Sequence, residues 1–354
     1  MLGFDRRAAR YTWTIAITVL LLFLVYQVRK TLFVFVLALL FAYLLSPLVD
    51  LLDRVLPTNR TRTLALGLAY VIFVGIVVFL GMQIGSRVVD EATSLGQRFP
   101  QMLSSWQQAT AGPPSAVNSL KQQIVDRART EIAARSGDIL STLSRAGLKA
   151  ITVASDLIYV VVIPILAFFF LKDARTIRQH LLELVEEGPR RALLDDVMAD
   201  VHLLLVHYMR ALVLLSLASF TAYSISFSIM GVPYAVLLAA LAGMLEFIPM
   251  LGPFTAGVII LIVSVVSGAP WITVLIFLLA YRVFQDYILS PHLMEQGVAL
   301  HPLLVLFGVF AGAEIAGIPG TFLSVPILAL VRVLYVRIRK SRIAAQLSPV
   351  GDLR

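Results

Sequence analysis

The sequence predicts an all-α, polytopic transmembrane protein of about eight helical segments, with broken or re-entrant helices in its C-terminal third. Hydrophobic residues make up 59% of the 354 residues and charged residues 14%, against about a quarter charged in soluble domains, and mean hydropathy is +0.89. Several apolar runs approach or exceed the ~20 residues that carry a helix across ~30 Å of hydrocarbon. No strand-like alternation accompanies them, and lipid tolerates no unpaired backbone, so helices are the spanning element.

The first span, Thr12 to Val28, precedes a tight polar turn at Arg29 and Lys30. It is longer than a signal-peptide core and lacks a small-residue cleavage site, so it reads as retained. A second span, Thr31 to Leu45, is expected to end at Ser46 and Pro47. A loop with Asp50, Asp53, Arg54, Arg60 and Arg62 leads to a third span, Leu64 to Ile84, closing an N-terminal unit of residues 1–84. Arg6, Arg7 and Arg10 before the first span put the N-terminus and that loop on the cytoplasmic side by the positive-inside rule.

Residues 85–150 form the sizeable polar region, placed outside by parity. Leu95, Phe99, Met102, Leu103 and Trp106 recur at helical spacing, Gly112 to Pro114 break the pattern, and Leu120, Ile124, Ala128 and Ile132 resume it. This amphipathic region reads as a packing or interfacial element. Residues 151–230 hold a fourth span, Ile151 to Leu171, and a cytoplasmic helical hairpin from Ala174 to Asp200 that turns at Gly188 and Pro189. A fifth span follows from about Leu203 to Met230. Asp156 and Arg210 lie near the ends of these spans, where they can snorkel to an interface.

Residues 231–336 form the expected transport core and contain two segments built alike. The first starts at Pro233, passes Ala242, Gly243, Glu246, Ile248 and Pro249, and breaks at Gly252 and Pro253. The second starts at Pro302, passes Ala311, Gly312, Glu314, Ile318 and Pro319, and breaks at Gly320. The arms of the first, Tyr234 to Phe247 and Phe254 to Ser267, each amount to ~21 Å of helix and cannot span. They fit a re-entrant hairpin or one broken crossing. The second, Leu303 to Gly317 and Thr321 to Val336, leaves both arrangements open. Arg337, Arg339, Lys340 and Arg342 make residues 337–354 a basic tail on the cytoplasmic side.

Glu246 and Glu314 each sit in an apolar run beside a Pro and Gly break. An ionised, unpaired carboxylate at membrane depth costs several kcal/mol, so it is expected in a wet cavity, with a partner, or protonated. That is the chemistry of an ion or solute path, with Pro249 and Gly252 freeing backbone carbonyls at the break. The alternative is a glutamate that caps its own broken helix. Arg282, Gln285 and Asp286 lie between the two segments, and Arg282 with Asp286 at i, i+4 fits a local ion pair as well as a path.

Other classes lack their residues. The +8 charge sits in short segments beside apolar runs and forms no nucleic-acid stripe. No cysteine excludes disulfides and thiolate sites. No phosphate-cradling Gly-rich loop with Lys and Ser or Thr appears, and no two of the five histidines stand at i, i+4, so an ATP-driven pump and a zinc protease are disfavoured. Hydrolase motifs are missing too, no cofactor is expected, and His301 reads as shaping the start of the second hairpin. A scaffold that organises partners through residues 85–150 is the reading from a different class.

The run from Leu245 through Glu246, Pro249 and Gly252 to Pro253, then Gln285 with Asp286, Pro291, Leu300-His301-Pro302 and Gly317 to Pro326, resembles the autoinducer-2 exporter family of membrane permeases. Gly231-Val232-Pro233, Pro47 to Asp50 and Phe170 to Asp173 fit as well, so the resemblance runs through essentially the whole chain. Met250 stands where the family often has an aromatic, and Ala311 to Ala313 replaces a more glycine-rich stretch. The resemblance implies a plasma-membrane permease that assembles as a homo-oligomer, a pentamer by that analogy. It implies export of a small polar solute such as a quorum-sensing signal or, as the alternative, exchange of Na+ or another cation for H+ through Glu246 and Glu314.

Overall fold

The computed structural model describes residues 6–55, 62–109, 157–293 and 300–347, and among them no strand occurs. The chain is an all-α polytopic membrane protein, with five helices long and apolar enough to cross a bilayer and four shorter apolar ones among the described residues.

Helix α1 (Arg6–Gln27) is exposed at every position from Tyr11 to Gln27, the pattern of an apolar helix facing lipid. Helix α2 (Arg29–Val55) does not stop at Ser46 and Pro47 as the sequence suggests. A mid-helix proline removes one backbone hydrogen bond at a cost of ~3 kcal/mol. Here Leu45 and Val49, on either side of it, are buried with Leu66, Ala69, Ala167 and Leu171 of two other helices, and that packing carries the helix through.

The helical path that starts as α3 (Arg62–Leu80) likewise does not stop at Ile84. A five-residue π-turn, Gly81–Gly85, joins it to α4 (Ser86–Ala109). The continuous helical stretch Thr63–Trp106 covers 44 residues, or about 66 Å, roughly twice the hydrocarbon thickness, apolar through α3 and carrying Arg87, Asp90, Glu91 and Arg98 in α4. The amphipathic repeat of α4 serves packing: Leu95 and Phe99 are buried, and Met102 and Leu103 lie against the same core cluster. The second half of that repeat, 112–132, lies outside the described residues, as does Asp156.

Helix α5 (Leu157–Lys172) is tied to α3 by Tyr70, whose hydroxyl donates to the Pro164 carbonyl at 2.9 Å. The hairpin expected after it forms, with α6 (Ala174–Glu183), a turn at Gly188 with φ 145°, and Pro189 as the first residue of α7 (Pro189–Ile229). Arg178 donates to Asp195 across it at 2.6 and 3.0 Å, an exposed pair worth at most ~1 kcal/mol. The second arm and the fifth span are one helix of 41 residues, since no Gly or Pro interrupts 190–229. Arg210 is exposed on it.

At Gly231, φ 67°, the chain reverses into α8 (Ala235–Leu245), which runs back along α7. A Cβ at Gly243 would lie 3.0 Å from the Ser216 carbonyl oxygen, and the Ser216 hydroxyl donates to the Gly243 carbonyl at 2.7 Å. Residues 246–250 then form a tip, with Met250 at φ 62°, before α9 (Leu251–Val266). At ~17 and ~24 Å, neither helix reaches across 30 Å of hydrocarbon.

The N-terminus of α8 is capped from another helix. Tyr234, its N-cap residue, makes no side-chain cap, and the Leu237 N–H donates instead to the Glu91 carboxylate of α4 at 2.8 Å. A carboxylate there meets both an orphan donor and the positive end of the helix dipole. Glu91→Ala is expected to lower unfolding stability by about 1–2 kcal/mol, read from denaturant curves in detergent. Glu91→Gln, which keeps an acceptor, should lose less; equal losses would mean the contact is not a cap.

Helix α10 (Trp271–Phe284) passes through a second π-turn, Gln285–Leu289, into the short α11 (Ser290–Leu293). Helix α12 (Pro302–Leu347) opens with the Leu303 N–H donating to His301 Nδ1 at 3.3 Å, the shaping role expected of that histidine. It breaks at Ala316 and Gly317, three residues before the expected Gly320, with Gly317 at φ 64°. The two arms fold into a hairpin: Gly308 faces Ser324 and Leu328, and Gly312 faces Gly320 backbone to backbone. Gly320 is thus a close-approach residue and not the break.

Candidate functional site

A cavity of about 270 Å³ opens where four parts of the fold converge. Helix α7 contributes Leu204, His207, Tyr208, Leu212 and Leu215, and the tip of the first hairpin contributes Glu246, Pro249, Met250 and, just beyond it, Pro253. The second π-turn and its neighbours add Arg282, Gln285, Asp286 and Ser290, while Leu300 and the two arms of α12 close the remaining side through Val305, Val325 and Ala329.

Glu246 is the acidic centre. Its residue is 8% exposed, and it sits just past the end of α8, where the helix gives way to the tip. Both carboxylate oxygens accept hydrogen bonds from neutral donors: Ser219 Oγ reaches Oε1 at 3.1 Å and Gln285 Nε2 reaches Oε2 at 2.8 Å. With the serine proton committed to Glu246, the Tyr281 hydroxyl 3.1 Å away is the donor to Ser219. Three elements therefore converge on one carboxylate: α7 through Ser219, α10 through Tyr281, and the π-turn through Gln285. The extra residue of a π-turn turns the following side chains off the regular helical register, and such turns recur at functional sites. Here it buries Gln285 and leaves Asp286 exposed.

Arg282 and Asp286 form the ion pair their spacing suggests, Nε to Oδ2 at 2.8 Å, and both also line the cavity. Of the seven sequence-predicted site residues, Glu246, Pro249, Arg282, Gln285 and Asp286 meet at this cavity. Gly252 supports the tip from behind: a Cβ there would lie 1.7 Å from the Leu245 carbonyl oxygen. Glu314 is exposed on the first arm of α12 and does not line the cavity.

Sequence reasoning passed over Ser219, Tyr281, His207 and Tyr208. A signal was present for the first: Ser216, Ser219 and Tyr223 stand at helical spacing in an otherwise apolar span. Tyr208 differs in kind. Its hydroxyl is, among the described residues, the buried side-chain oxygen or nitrogen without a hydrogen-bond partner. His207 Nδ1 donates to the Leu203 carbonyl at 2.7 Å.

Two contacts bracket the cavity. At the tip, the Phe247 ring lies 6.0 Å from that of Phe322 on the second arm of α12. Toward the other end, Arg337 of that arm grips α7 through Asp200 at 2.6 and 2.7 Å and Asp196 at 3.1 Å. Asp200 lies one helical turn before Leu204, so this clamp closes α7 and α12 together just beyond the cavity.

The model of the AI-2E family transporter matches residues 15–340. The chain is 25% identical over 320 residues to "Putative transport protein YrrI" of Bacillus subtilis, covering 89% of each chain. It is 28% identical over 332 residues to "Putative transport protein MT0215" of Mycobacterium tuberculosis, covering 92% of this chain and 88% of the relative. It is 25% identical over 305 residues to "Putative permease PerM" of Escherichia coli K12, covering 83% of this chain and 84% of the relative. A match over nearly the whole chain, with Glu246 and the hairpin tip inside it, makes this protein a member of the AI-2E transporter family.

Proposed function

We propose that this protein is a gradient-driven secondary transporter that carries a small polar solute through the cavity beside Glu246 by alternating access. The observation that supports it best is a buried carboxylate held by Ser219 and Gln285 at the tip of a helical hairpin, facing a cavity between that hairpin and a second one. Buried acids at helix breaks are costly structurally and are kept where a cargo or ion must be met. The chain has no phosphate-cradling loop, so a solute or ion gradient is the drive this reading requires.

In this mechanism the first hairpin moves against α12 and α7. Separating Phe247 from Phe322 opens the cavity at the tip, and releasing Arg337 from Asp196 and Asp200 opens it at the other end. The complete absence of cysteine makes the test clean. A Phe247→Cys, Phe322→Cys double variant joined by a short bismaleimide is expected to lose solute flux in reconstituted vesicles by more than about tenfold. Each single variant treated alike should retain it. Undiminished flux in the cross-linked protein would refute hairpin motion.

A second reading, cation and proton antiport, draws on Glu246 having hydrogen bonds from neutral groups only. It predicts dye-reported proton movement when sodium is added to vesicles in the absence of organic solute.

A further inference from the structure

We propose that the cavity selects a small organic monocation, an amine-type ammonium carried on a compact apolar body. This rests on the transport reading above and narrows its cargo. Three features carry it. First, the Glu246 carboxyl makes no ion pair in the cavity: its hydrogen bonds come from Ser219 and Gln285, and Arg282, the Lys or Arg among the described lining residues, is bound to Asp286 at 2.8 Å. The lining thus contains two acids and one guanidinium, and a buried carboxylate without countercharge is stabilised by a cation brought in from outside.

Second, the Tyr208 hydroxyl is buried, unpartnered and carried by a residue that lines the same cavity. An orphaned hydroxyl in an apolar wall costs free energy until a ligand supplies the missing hydrogen bond. With Glu246 it offers oxygens that can accept from a ligand rich in N–H donors, the hydroxyl being able to donate as well. Third, the remaining wall is mostly aliphatic, including Leu212, Leu215, Val305 and Val325, and the volume of 270 Å³ is at or below the low end for small-molecule pockets. A polyol would leave hydroxyls against that wall, and an anion would meet Glu246 head on.

The test uses the full-length protein in proteoliposomes, with benzylammonium, cyclohexylammonium and tetramethylammonium as probes and benzyl alcohol and benzoate as the neutral and anionic counterparts. Equilibrium binding and flux are measured for each. The expected result is that at least one ammonium probe is bound and carried more than about tenfold better than benzyl alcohol, with benzoate excluded. Glu246→Gln should abolish that preference. Tyr208→Phe, which is isosteric and keeps the fold, should weaken ammonium binding severalfold without lowering the melting temperature of the unliganded protein.

Equal handling of benzylammonium and benzyl alcohol, or failure of all three ammonium probes to bind, overturns the proposal. If benzyl alcohol or another neutral solute moves in a Glu246-dependent way, the cargo assignment fails and the transporter reading stands. If no solute moves and only protons and sodium exchange, both the cargo assignment and the solute-carrier reading fall.

Discussion

Replacing Glu246 by glutamine is expected to cut solute flux by roughly 100-fold, about 2.7 kcal/mol, while the purified protein stays folded. Size and shape are kept, and one amide oxygen still accepts from Gln285 or Ser219. What is lost is the charge, which is what a buried acid at a hairpin tip can offer a cargo. Glu246→Ala adds a structural penalty, since the Gln285 amide and Ser219 hydroxyl lose their acceptor inside the bundle. That cost is about 1–3 kcal/mol for each buried unsatisfied group. Flux assays paired with melting curves separate the two: glutamine should lower flux alone, alanine both. Full flux in the glutamine variant would remove Glu246 from the permeation path.

The largest structural effects are expected at glycines where helices meet backbone to backbone. A Cβ at Gly252 would stand 1.7 Å from the Leu245 carbonyl oxygen, and one at Gly312 would stand 2.3 Å from the Gly320 carbonyl oxygen. Neither obstacle is a side chain that can swing aside, so Gly252→Ala and Gly312→Ala must push two stretches of backbone apart. Overpacking a close-fitted site costs about 1–3 kcal/mol and more when backbone has to move, which is a large share of a typical stability. Little monodisperse protein should survive extraction of either variant. Gly308→Ala provides the contrast, because the nearest obstacle, at 2.5 Å, is the terminal Cδ1 of Leu328, which can change rotamer. Gly308→Ala purifying as poorly as Gly312→Ala would show that backbone approach is not what matters at these sites.

Both predictions concern interrupted segments whose existence was legible before any coordinates, though hairpin and broken crossing were both left open. Short apolar arms on either side of Pro249, Gly252 and Pro253 cannot span a bilayer, so a reversal or break was required there by length alone. The amphipathic repeat through Leu95 and Phe99 and the turn at Gly188 and Pro189 were equally plain, because helical period and backbone punctuation are local properties. The same local reasoning misplaced the ends of α2 and α3. Pro47 and Gly85 are helix-ending residues in isolation, and the helix continues through each. At Pro47 the cause is long-range: Leu45 and Val49 are held by side chains from distant helices.

The sequence by itself determined that this chain is helical, lives in lipid, and carries an acid, Glu246, at a broken segment. These follow from hydrophobicity, run length and residue type, none of which depends on what packs against what. Only the tertiary structure decided that Glu246 enters the cavity while Glu314 stays exposed, for the two occupy similar positions in similar segments. The difference lies in their neighbours: α7 presents Ser219 and the second π-turn presents Gln285 to the first glutamate. The pairing of Glu91 with α8, the unpartnered Tyr208 hydroxyl and the grip of Arg337 on Asp196 and Asp200 are of the same kind. Each joins or isolates residues far apart in the chain, and contacts between distant segments are set by how whole helices pack, which no single stretch of sequence encodes.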